Sequence, residues 1–189
     1  MPRLDVPSED SMTPEQKAAL AEDISGPRGR MPSPTIAWLQ NPALASSAQK
    51  LGEVLRFNTT LEPSLVELAI LICARHGTSH QAWTSHKRHA LTAGLSRDII
   101  AAIASRSSPT VCSDRERLVF DVSTTLLAHH RIPNALYLRG VDTFGERGMV
   151  ELVAVLGYYS LVGLTLNAFE LGLPGSVAPE LEDPDFAQG

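Results

Sequence analysis

Helix punctuation, repeated along nearly the whole chain, most limits what this sequence can become. Thr13-Pro14-Glu15-Gln16 combines an N-cap, a proline at the first helical position and a residue able to close a capping box. Comparable starts recur at Pro42, Glu62-Pro63, Thr78 or Ser79, Ser96, Ser113-Asp114-Arg115-Glu116 and Pro133-Asn134. Glycines at Gly77, Gly94 and Gly172 supply stops. Between them apolar residues recur at three- and four-residue steps, as in Leu51, Val54 and Leu55, or Leu65, Leu68, Ala69, Ile72 and Cys73. Strand-type alternation is weak throughout. The pattern predicts eight or so helices, over 13–24, 42–58, 63–77, 79–94, 96–103, 113–130, 133–144 and 147–171, with a short one around 35–40 and short connections. Such a chain folds as a single all-α domain, placed at 13–175. A flexible N-terminal segment, 1–12, and a loose C-terminal tail, 176–189, flank it.

Composition narrows the function. The chain has 189 residues and a net charge of −5, with no Lys/Arg-rich run, which argues against a nucleic-acid partner. Two cysteines, Cys73 and Cys112, cannot build a disulfide scaffold or a four-cysteine zinc site. The first dozen residues hold acids and no apolar run, so they do not read as a signal peptide. Residues 149–166 are about as apolar and long as the shortest membrane spans, but they include Glu151, Gly157 and the pair Tyr158-Tyr159. They read as a buried core helix, and the expectation is a cytoplasmic protein with no membrane partner.

The chemistry concentrates in 67–96. All six histidines lie between His76 and His130, with His76, His80, His86 and His89 close together. On one helix, Ser79, Ala82, Trp83, His86, His89 and Ala90 share a face by three- and four-residue steps. Glu67 belongs to the preceding helix, and a turn at Gly77 folds the two into an antiparallel pair. A Glu on one helix can then meet a His on the other. A carboxylate holding one imidazole nitrogen fixes the tautomer and raises the basicity of the other nitrogen, the minimum machinery for proton transfer. The competing reading makes the pair purely structural. Trp83 reads as either a packing anchor or a substrate stacker, and His80 and His89 as surface residues. No histidine spacing matches a two-histidine-plus-carboxylate metal site, so no metal is expected.

These residues resemble those of the carboxymuconolactone decarboxylase and alkylhydroperoxidase-D-like superfamily. The Glu…Cys-x-x-Cys-x-x-x-His pattern of its peroxidase branch, laid on from Glu67, falls on Ser79, Ala82 and His86. Trp83-Thr84-Ser85-His86 matches the Trp-x-x-His of the decarboxylase-like branch, and Ala90, Gly94-Leu95-Ser96, Arg28-Gly29, Leu55-Arg56, Gly157-Tyr158-Tyr159 and Leu166-Asn167-Ala168-Phe169-Glu170 follow in order. The resemblance covers about 12–172. It implies an all-helical subunit that self-associates as a trimer or hexamer. It also implies a cofactor-free enzyme that decarboxylates, or moves a proton on, a small carboxylated cyclic substrate of lactone type. His86 is then the acid or base and Glu67 its orienting partner. Trp83, Arg56, Arg28 and Tyr159 are the substrate-binding candidates, with Arg30 as a further cation, and the arginines hold the substrate carboxylate. Two alternatives stand beside this: a peroxidase using Cys73 or Cys112, and a non-catalytic homologue that only binds a small ligand. The peroxidase branch needs a low-pKa thiolate and a resolving thiol, and Ser79 and Ala82 supply neither.

Overall fold

In a computed structural model that describes residues 2–5, 7–26, 29, 31–110, 112–173 and 175–183, the chain is all-helical, with eight α-helices and no strand among the described residues. They are α1 (Pro14–Ser25), α2 (Thr35–Trp38), α3 (Pro42–Phe57), α4 (Pro63–His76), α5 (His80–Thr92), α6 (Arg97–Ala104), α7 (Asp114–His129) and α8 (Asn134–Ala168). The caps explain several starts. Thr13 with Gln16, and Ser113 with Glu116, form reciprocal capping boxes, while prolines open α1, α3 and α4 at the first turn.

Helix α4 is the axis of the fold. Every residue from Leu65 to Arg75 is buried, and the helix packs against α5, α7, α8 and α6. A helix apolar all round can be stable only when enclosed in this way. Helix α8 closes the opposite side against α4 and α7, with Leu152, Val155 and Leu156 in the core. By length and composition it could cross a bilayer, but 56% of its most apolar stretch is buried inside the fold, as in a core helix.

Two breaks shape what lies around α4. Helix α8 bends at Gly145, where φ 70° and ψ 169° are open to glycine and strained for any other residue. The sequence reading places two helices on either side of this point. At the α4–α5 turn, Gly77 has an ordinary negative φ, and the left-handed residue is Thr78, at φ 44°. The turn is therefore held by side-chain bonds to Thr78 rather than by glycine's freedom.

Both flanking segments contact the domain. Arg3 pairs with Glu170 at 2.7 Å, and its backbone N–H donates to the Phe169 carbonyl. Glu170 thus has an ion pair within its own chain. In the tail, Leu181 is buried and Glu180 accepts hydrogen bonds from α5. An apolar residue within an acidic stretch anchors a segment that composition alone presents as loose.

Candidate active site

Glu67 sits in the second turn of α4 and His86 in the middle of α5, facing each other across the antiparallel pair. His86 Nδ1 lies 2.7 Å from Glu67 Oε2. The other carboxylate oxygen, Oε1, accepts from Arg56 Nη2 at 3.4 Å. Arg56 comes from the last turn of α3, and its guanidinium lies over the Phe57 ring at 5.1 Å. All three side chains are largely enclosed, at 8%, 11% and 13% exposure for Glu67, His86 and Arg56.

Burial alone would push the Glu67 carboxyl up. The hydrogen bond and charge of His86, with Arg56 and His89 behind them, outweigh that and hold it below its ordinary value. Glu67 is therefore an anion that fixes Nδ1 of His86, and proton exchange falls to Nε2 on the far side of the ring.

His86 lines a cavity of about 280 Å³, and Glu67 holds it from outside that lining. His86, His89, Ser85, Ala82 and Gln81 of α5 form one wall, Tyr158 and Tyr159 of α8 another, Arg56 and Phe57 a third, and Pro32–Pro34 the rim. Tyr159 packs edge-on to the His86 ring, with centroids 4.9 Å apart. Buried Arg56 Nε and His89 Nε2 have no hydrogen-bond partner among the described residues. Arg56 also lines the cavity, and a guanidinium there is suited to an anionic guest. His89 is held below its ordinary value by burial first and by Arg56 second, so it supplies a neutral imidazole at neutral pH.

The structure thus brings together Glu67, His86, Arg56 and Tyr159. It does not bring Trp83 to the same cavity: the side chain is 1% exposed on another face of α5, and its Nε1 donates to Glu180 at 3.4 Å. Arg28 and Arg30 lie outside the described residues. His89, expected at the surface, is half-buried at the cavity wall, and Ser85, Gln81 and Phe57 join it there without an expected role. The spacing of His89 to His86 on one helix was the available signal. On α3 and α8 the resemblance points to Arg56 and Tyr159, while no local pattern marks Phe57.

The thiols are arranged differently. Cys73 is buried in α4 with Sγ 3.5 Å from the Leu156 carbonyl, and burial pushes its pKa up to about 12, away from the thiolate that peroxide chemistry requires. Cys112 is half-buried and, like Cys73, free. Among the described residues no group of three or more His, Cys, Asp or Glu side chains converges as metal ligands. Compared with known families and with curated proteins, the sequence matches no family model and no curated protein.

Proposed function

We propose that this chain is a cofactor-free acid–base enzyme of the carboxymuconolactone decarboxylase-like type, acting on a small carboxylated cyclic substrate. The observation that carries the reading is the enclosed Glu67–His86 contact of 2.7 Å at the wall of a cavity that also holds Arg56. Arg56 binds a carboxylate of the substrate beside the dyad. When the departing carboxylate leaves as carbon dioxide, its bonding electrons pass into the conjugated carbonyl system of the ring. His86, charged and steadied by Glu67, then delivers its Nε2 proton to the carbon that has gained those electrons. The ion pair stabilises charge that moves during the reaction, and a dry site strengthens that effect. Tyr159 fixes the ring plane of His86.

Self-association and a cytoplasmic setting belong to the same proposal. Val150, Val153, Gly157, Leu161 and Leu164 recur at helical steps along α8 and lie exposed, an apolar stripe suited to a second copy in a trimer or hexamer. Of the thiol-based alternative, the raised pKa of Cys73 offers no support.

The test is turnover of a panel of carboxylated lactones by the natural chain and by His86→Gln. Loss of a positioned general acid should slow the reaction by roughly 10²–10⁴-fold. A substrate turned over equally well by both proteins would overturn the assignment.

A further inference from the structure

Helix α5 has a second working face. Opposite the His86 cavity, Trp83 and Lys87 line a cleft of about 610 Å³ that also holds Arg75, Arg97 and Arg106. The cleft is basic by construction. Arg75 Nη1 and Arg106 Nη2 donate to the same oxygen, Thr78 Oγ1, at 3.2 and 3.1 Å. Arg75 is further fixed through Nε, which donates to the Ala104 carbonyl at 2.8 Å. Both Thr78 and Arg106 hold left-handed backbone conformations, at φ 44° and 57°. Such conformations are uncommon for residues other than glycine, and a β-branched one is strained there. Two guanidiniums gathered on one hydroxyl repel each other, and that arrangement is favourable only with an anion nearby.

The chain supplies anions itself. Glu180 Oε2 accepts from Trp83 Nε1 and from Lys87 Nζ, Glu182 lines the same cleft, and buried Leu181 pins the segment between them. Asp183 continues it to His80, at 3.8 Å. The tail does not balance the cleft, however: four cations line it, against two carboxylates.

We propose that this cleft is a binding site for a small anion of two or more negative charges, phosphate- or carboxylate-bearing, and that the acidic tail is its intramolecular competitor. The ligand displaces the Glu180 and Glu182 carboxylates from Lys87, Trp83 and the paired arginines, and the tail lifts as it binds. Tethering keeps the tail's effective concentration high, so only a multiply charged anion competes with it.

The experiment is calorimetric titration of the full chain with pyrophosphate, citrate and chloride at matched ionic strength. Saturable binding of pyrophosphate or citrate, absent with chloride, is expected, and the stronger of the two identifies the phosphate or the carboxylate class. The double variant Glu180→Gln, Glu182→Gln should bind roughly tenfold more tightly, as for a competent state populated about one time in ten in the natural chain. Arg106→Gln, at an exposed position, should weaken binding, with circular dichroism verifying that it is folded. No saturable binding, equal heats with chloride, or an affinity unchanged by removing the tail's two charges would each overturn the proposal.

Discussion

Replacing Glu67 by Gln probes the site most sharply, because the carboxylate serves two buried partners at once. Gln keeps the shape and one carbonyl acceptor and removes the charge. The His86 contact, at 2.7 Å, has charge-assisted geometry, and a bond of that kind contributes about 1.5–3 kcal/mol. Arg56, at 3.4 Å, is held less tightly, but its guanidinium would remain in a dry place without its counter-ion. Removing one partner of a buried pair costs about 3–5 kcal/mol when nothing replaces it, and the retained Gln carbonyl lowers the expected cost to about 2–4 kcal/mol. In a domain of this size each kcal/mol moves the melting temperature by about 2–4 °C, so the variant should melt roughly 4–16 °C lower. Urea and thermal unfolding of the two proteins measure this. Lys50→Gln, which breaks an exposed pair with Glu22 at 3.5 Å, is the control and should leave the midpoint where it is. If Glu67→Gln melts with the natural protein, the dyad is no better than a surface pair and the electrostatic reasoning fails.

Three further outcomes are expected. Cys73 should resist peroxide and alkylating reagents in the folded protein and react only on unfolding, so native Cys112→Ser should show no fast thiol in a colorimetric titration; a rapid native thiol in that variant would refute the burial argument. Gly145→Ala should cost about 1–3 kcal/mol in urea unfolding, and the cost is conformational because an added Cβ meets nothing within 4 Å. Stability should fall on acidification in two steps, since the folded forms of His89 and Glu67 bind protons less readily than the unfolded chain does. His89 acts as pH drops below its ordinary value of 6.5, and Glu67's contribution, present above 4.5, is lost as pH falls through its lowered folded value. Unfolding midpoints across that pH range should show Glu67→Gln flattening the lower step and His89→Gln the upper.

Much of the fold is legible in the sequence because helix ends are local chemistry. The capping boxes at Thr13 and Ser113 form between residues three apart, and the break at Gly145 needs only a glycine within an otherwise helical pattern. The Glu67–His86 pair is legible for a related reason: a short turn joins two helices, so opposing faces must meet. What fails to show is non-local. Trp83 shares the general face of His86 on a helical wheel, yet the tail draws its indole to Glu180, far away in sequence. His89 becomes half-buried only when α3 and α8 bring Arg56, Tyr158 and Tyr159 against it. Leu181 anchors a segment whose neighbours are acids, and composition averages that single residue away.

The claim that Glu67 fixes His86 for proton exchange at Nε2 is tested most directly by nitrogen-15 NMR of the His86 ring. The measurement belongs above the pH at which the ring loses its charge. The account expects the Nδ1–H tautomer, with Nε2 showing the shift of an unprotonated ring nitrogen, and a mixture of tautomers in Glu67→Gln. An Nε2–H tautomer in the natural protein, or one unaltered by Glu67→Gln, would contradict it.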